Sequence, residues 1–255
     1  MLRLSNKKRR KYDGNERPKI GADLNFPSRE AYRTLRTNLS FSFIGEDKRR
    51  IIGITSACPQ DGKSLTSINL SYALAEAGNR VILIDADMRR PSISKKLGLR
   101  HAPGLSNYLT GEETRVAHSA ILDENLSVIT SGDIPPNPSE LLGSEKMKET
   151  LDLFAEHFDY VIVDLPPVNS VSDALAVSSF VSGMIVVLKH GYTRRGDVHE
   201  AIRQLKFANA RIFGFVYNGY VPENGNYRGR SYRHIYNENE YTSEAELDEI
   251  PVGKG

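Results

Sequence analysis

The 255-residue chain is 39% apolar and 26% charged, ordinary values for a globular domain with a core of its own. Its 34 basic and 32 acidic side chains leave a formal charge of +2, which removes any global argument for a nucleic-acid partner or an acidic substrate. The single cysteine excludes an internal disulfide framework and suits a reducing cytoplasm; no apolar run approaches the ~20 residues that span a bilayer, and the start lacks the apolar core of a signal peptide.

In chain order, residues 1–27 hold the basic stretch RLSNKKRRKYDGNERPK and few apolar anchors, which predicts a flexible basic arm. Its KKRRK run reads equally as a solvated tail or as a contact to anionic lipid or nucleic acid. The segment SREAYRTLRTNLSFSF places Ala31, Leu35, Leu39 and Phe43 four residues apart and predicts a helix capped by Ser28. RIIGITS, RVILIDAD, LSVITSG, DYVIVDLPP, GMIVVLK and ARIFGFVYN then read as buried strands. Helical patterns fall between most of them: KSLTSINLSYALAEAG, SEKMKETLDLFAEHF, SDALAVSSF and RRGDVHEAIRQLKFA. This alternation predicts an α/β fold with a doubly wound, mostly parallel sheet, in one domain over residues 28–220. Residues 221–255 lose the pattern and turn acidic, which predicts a disordered tail.

Three motifs carry chemistry. ACPQDGKS sits between a strand and a helix, the context of a phosphate-binding P-loop, with Ala57, Pro59, Asp61, Gly62, Lys63, Ser64 and Leu65 as the cradle. Lys63 would reach the β- and γ-phosphates of ATP, and Ser64 would ligate Mg²⁺. In VILIDADMRRP, Asp85 and Asp87 stand at the carboxyl end of a strand beside Arg89, where ligands bind in open α/β sheets; the pair could serve a metal ion and a proton together. Alone, such an aspartate is as readily the cap of the next element. In DYVIVDLPP, Asp164 is the acidic partner a P-loop enzyme needs, on Mg²⁺ directly or through water. The expected metal set is therefore Ser64, Asp87 and Asp164, with Arg89 orienting the carboxylate pair and Asp85 as proton acceptor. Cys58 lies near the phosphate N–H groups, but its plainer reading is a small side chain in the loop.

The order ACPQDGKS, ILIDADMRRP, VIVDLPP resembles the Walker A, Walker A′ and Walker B motifs of the bacterial tyrosine kinases of capsule and exopolysaccharide synthesis, over roughly residues 28–240. EAYRTLR matches the family's ExxRxxR oligomerisation motif through Glu30, Arg33 and Arg36, although i, i+3 pairs are also common on solvated helices. The resemblance implies a ring of copies, autophosphorylation in trans of Tyr220, Tyr227, Tyr232, Tyr236 and Tyr241, ATP and Mg²⁺ as cofactors, and control of polysaccharide export. It also implies a membrane-bound modulator that recruits a cytoplasmic protein to the membrane, a cognate tyrosine phosphatase, further protein substrates and no nucleic acid. Asn218 resembles a position that contacts adenine in related proteins; a turn-forming Asn-Gly reads equally well. Gln60 departs from the family, which usually has glycine there. The competing reading is a switch ATPase of the related MinD and ParA type, which carries a second lysine at the position of Cys58.

Overall fold

The computed structural model describes residues 19–43 and 49–220. Its elements are α1 (Phe26–Phe41), β1 (Ile51–Ser56), α2 (Lys63–Ala75), β2 (Val81–Asp85), α3 (Ile93–Leu97), α4 (Leu105–Leu109), β3 (Ala117–His118), β4 (Leu126–Ile129), α5 (Pro138–Leu142), α6 (Glu145–His157), β5 (Tyr160–Asp164), α7 (Asp173–Val177), β6 (Gly183–Lys189), α8 (Arg195–Phe207) and β7 (Ile212–Asn218). The strands form one sheet in the order β3-β4-β2-β5-β1-β6-β7, parallel throughout except for the short β3 against β4. The doubly wound, mostly parallel α/β fold is thus as the alternating pattern predicts.

The two-residue period of a strand sends alternate side chains to opposite faces, and here both faces are covered. Ile82 and Ile84 of β2 and Val161 and Val163 of β5 pack with Leu142, Met147, Leu151 and Leu205 on one side. Val81, Leu83, Tyr160 and Ile162 pack with Leu39, Ile68, Leu70, Leu74 and Ile93 on the other. Each such buried aliphatic side chain contributes about 1.5–3 kcal/mol. Double coverage is why the central strands are apolar runs rather than alternating ones.

Helix α2 is buried over most of its circumference, wedged between the sheet and α1. Tightness at β1 has a local cause: a Cβ on Gly53 would come within 2.3 Å of the Met184 sulfur. Parallel registry sets Asp85 opposite Asp164 and Ile54 opposite Asp164 on the two sides of β5, so the carboxyl ends of β1, β2 and β5 finish together.

Two expectations need correction. Helix α1 begins at Phe26, ahead of Ser28, because Asn25 is the cap: its side chain accepts the Ser28 N–H at 3.0 Å, and Pro27 fits the first turn, where no N–H is needed. The segment before it is anchored too, with the Gly21 N–H donating to Asn69 Oδ1 at 2.9 Å. The short elements α3, α4, α5 and β3 had no periodic signal long enough to read.

Replacing Asn25 with Ala should cost about 1 kcal/mol of stability through loss of the cap. Urea denaturation should show the lower midpoint at an unchanged slope.

Candidate active site

The loop between β1 and α2 folds as its residues dictate. Gly62, immediately before α2, has φ +97°, and a Cβ there would meet Asn218 Nδ2 at 2.0 Å, so only glycine fits. Helix α2 then begins at Lys63, leaving its first-turn N–H groups to face a ligand with the positive end of the helix dipole behind them. Gln60 also takes a left-handed conformation, φ +68°, a region that favours glycine and costs a residue with a Cβ.

Asp61 braces the loop. Its buried carboxylate accepts the Cys58 N–H at 2.8 Å and the Thr193 hydroxyl at 2.6 Å, while its carbonyl accepts Asn218 Nδ2 at 2.9 Å. Asn218 therefore acts on the P-loop backbone in this structure. Thr193 carried no sequence signal, since it lies 132 residues from its partner.

Lys63 closes the cluster. Its Nζ lies 2.9 Å from Asp87 Oδ2, 3.3 Å from Asp164 Oδ2 and 3.2 Å from Ser64 Oγ. Burial alone would lower its pKa, but Asp164, Asp87 and Asp85 outweigh burial and raise it, so the ammonium is held as a cation. Asp164 is fully buried and accepts from Ser67 Oγ at 3.0 Å, a residue one helical turn beyond Lys63 that the motif reading missed. Burial pushes the Asp164 carboxyl above the ordinary carboxylate range.

Asp85 is also fully buried. Its Oδ2 accepts the Ile93 and Ser92 N–H groups at 3.1 and 3.3 Å, and its Oδ1 accepts the Asp87 N–H at 3.3 Å. It thus closes the turn into α3 as well as lining the site. Burial, then the neighbouring Asp164, raise its pKa to about 7. Asp87, 4% exposed, is the member of the pair that touches Lys63.

Arg89 does not orient the carboxylate pair. It forks onto Asp173 at 2.8 and 3.1 Å, where the fully buried Asp173 at the start of α7 also accepts the Ser139 hydroxyl. The reason is reach: the turn after Asp87 carries Arg89 outward over α5 and α7. Cys58 is no activated thiol, since burial, reinforced by Asp197 and Asp61, raises its pKa to about 11.

Among the described residues, no group of three His, Cys, Asp or Glu side chains forms a metal cage by itself. The donor set nevertheless fits Mg²⁺, which is held by one or two carboxylates together with phosphate and water oxygens. Ser64, Asp87 and Asp164 supply such oxygens around the Lys63 ammonium, and three carboxylates against one lysine leave room for further positive charge.

Glu30, Arg33 and Arg36 sit on α1, away from this cluster. Arg33 pairs with Glu30 at 2.8 Å and with Glu76 at 3.5 Å, and Arg36 donates to the Ala73 carbonyl at 2.7 Å. Tyr220 follows the last strand; Tyr227, Tyr232, Tyr236 and Tyr241 lie outside the described residues.

A family model described as ParA: NUBPL iron-transfer P-loop NTPase matches residues 47–252. The tyrosine-protein kinase YwqD of Bacillus subtilis is 37% identical over 191 residues, covering 74% of this chain and 80% of that protein. The chain belongs to the ParA-type P-loop NTPases, and among them to the bacterial tyrosine-protein kinases. The kinase resembles the solved kinase domain of Escherichia coli ETK at 33% identity and a TM-score of 0.75, covering 86% of this chain and 88% of that one. Against the full E. coli etk protein it is 36% identical over 75% of its own length, yet spans only 26% of that protein. A septum site-determining MinD from Pyrococcus horikoshii, complexed with Mg-ADP, shares the fold alone, at 24% identity and a TM-score of 0.56 over 67% of this chain and 70% of that one.

Changing Gln60 to Gly should stabilise the kinase by up to about 1 kcal/mol by relieving the left-handed backbone. A urea midpoint that fails to rise would show that the loop bears no such strain. Titration of Asp85 has a definite sign. Its folded pKa of about 7 lies above the ordinary 3.8, so its contribution to stability is complete below about pH 4 and is lost as pH rises through 7. Asp85→Asn should therefore gain stability relative to the wild type on going from pH 5 to pH 8, measured by denaturation without nucleotide.

Proposed function

We propose that this kinase transfers the γ-phosphoryl group of ATP to tyrosines in the C-terminal tails of neighbouring copies, and to other proteins. The observation that carries the reading is the Lys63 ammonium held between Asp87 and Asp164 at the mouth of the P-loop. Ala57, Pro59, Asp61, Gly62 and Leu65 shape the cradle, and the first-turn N–H groups of α2 receive the phosphates. Mg²⁺, when bound, neutralises phosphate charge as the phosphoryl group departs. Ser64, Asp87 and Asp164 would hold it. Lys63 exchanges its carboxylate partners for the β- and γ-phosphates and offsets charge that develops on the transferred group. The Asp85–Asp87 pair receives the phenolic proton, Asp85 contributing a carboxyl that titrates near neutrality.

Cys58 favours this reading over a MinD-type switch ATPase. A thiol with a pKa of about 11 is neutral at physiological pH and cannot supply the positive charge of a second P-loop lysine.

In the proposed assembly, Glu30, Arg33 and Arg36 form the contact that closes a ring of copies. Their pairs within the chain are solvent-accessible, and exposed ion pairs are worth about 0–1 kcal/mol, so exchange for a neighbour's carboxylates is inexpensive. Each phosphate added to a tail already rich in glutamate brings about −1.5 to −2 of charge, which drives tails apart and opens the ring. A membrane-bound modulator recruits the kinase to the inner membrane face, a tyrosine phosphatase resets it, and the cycle regulates export of capsular or extracellular polysaccharide.

Lys63→Met should lower phosphoryl transfer roughly a hundredfold or more. The test is intact-mass analysis and peptide mapping after incubation with ATP and Mg²⁺, with and without a modulator segment. Phosphate on Tyr220 to Tyr241 in the wild type alone supports the proposal. Steady release of inorganic phosphate without protein phosphorylation overturns it in favour of a switch ATPase.

A further inference from the structure

The turn after Asp87 and helix α3 carry a run of positive charge that the chemistry above does not use. Between Met88 and Gly111 the chain holds Arg89, Arg90, Lys95, Lys96 and Arg100 and no carboxylate at all. Arg90, Lys95 and Arg100 are exposed, and Lys96 is half-buried. Among the described residues, Arg89 is the one member of this run with an ion-pair partner, Asp173.

The place of this rim in the fold is fixed by the site itself. The Arg90 N–H donates to Asp87 Oδ1 at 3.0 Å, and the first N–H groups of α3 hold Asp85. Lys96 feels Asp164, Lys63 and Asp85, the burial that lowers its pKa being modified by all three. A ridge of unneutralised cations therefore begins beside the catalytic carboxylates and runs outward along α3. Like charges on one surface repel, and their field attracts an acidic partner.

The same chain contains a segment of matching chemistry. From Ile235 to Gly253 there is no Lys or Arg, while Glu238, Glu240, Glu244, Glu246, Asp248 and Glu249 surround Tyr236 and Tyr241. We propose that the Arg90–Lys95–Lys96–Arg100 rim docks the acidic tyrosine-bearing segment of a second copy and makes acidic flanking residues the determinant of substrate choice. This rests on the kinase reading and deepens it. An extended chain advances about 3.3 Å per residue, so acids three to eight residues beyond Tyr241 would lie about 10–27 Å from its phenol. That span suits a ridge that starts at the site and continues over a five-residue helix of about 7.5 Å.

The test is fluorescence anisotropy with the full-length protein and labelled peptides of residues 235–250, both tyrosines replaced by Phe so that binding is read without catalysis. One peptide keeps its acids; the other carries Gln and Asn in their place. At low salt the acidic peptide should bind about tenfold tighter or more, and the preference should fall steeply as salt screens exposed charges. Lys95→Glu with Arg100→Glu should abolish the preference, and the Gln pair should reduce it part-way. Equal binding of the two peptides to the wild type, or an undiminished preference in the Glu variant, overturns the proposal. So does binding of phosphatidylserine vesicles that the Glu variant loses while the peptides remain indistinguishable, because the rim would then belong to a membrane. A parallel assay with the Tyr241-containing peptide separates the two readings: docking without phosphorylation defeats the kinase reading alone, and phosphorylation without preference defeats the docking reading alone.

Discussion

The structure turns on one buried ammonium group. Lys63 stands at the point where the carboxyl ends of β1, β2 and β5 converge, and its contacts with Asp87 and Asp164 hold like charges close together that would otherwise repel. Breaking such a buried arrangement by deleting one member leaves charge uncompensated and costs several kcal/mol, whereas the complete cluster adds little net stability. Its presence is therefore better explained by what it must bind than by what it contributes to folding. Parallel registry makes the cluster possible, because a slip of one residue would turn Asp85 or Asp164 to the opposite face.

A second consequence of the architecture is the shared use of α2. One end of this helix presents Lys63 and Ser64, its middle supplies Ser67 to Asp164, and Asn69 anchors Gly21 ahead of α1. Tyr32 of α1 lies half-buried against Asn69 and Thr66, and Arg36 reaches the carbonyl of Ala73. The proposed assembly helix and the phosphate-binding helix are thus packed as neighbours, with Arg33 and Arg36 at the end of α2 opposite the P-loop.

Much of this was legible in the sequence because it is local. The P-loop declares itself through a strand, Gly62-Lys63-Ser64 and an apolar helix in succession, and Asp85 and Asp164 end strands that are apolar on both faces. What stayed hidden depends on long-range pairing. Thr193 and Asp173 have ordinary sequence surroundings, and only the fold brings them to Asp61 and Arg89. Arg89 was misread for the same reason: proximity in the chain pointed to Asp85 and Asp87, while a bidentate carboxylate 84 residues away gave better geometry. The cap of α1 was displaced because Ser28 and Asn25 are both good capping residues, and Pro27 between them favours the earlier start.

The hydrogen bond from Asn218 to the Asp61 carbonyl joins the phosphate loop to the final residue of the last strand, across 157 positions. Its timing matters during synthesis. When α2 leaves the ribosome, the loop has its glycine and its lysine but neither the Thr193 nor the Asn218 brace, since both are translated later. A nascent chain therefore cannot brace its phosphate loop through both residues until β7 is complete. The loop that faces the phosphates is thus encoded early in the chain, while its last support is encoded in the final strand of the sheet.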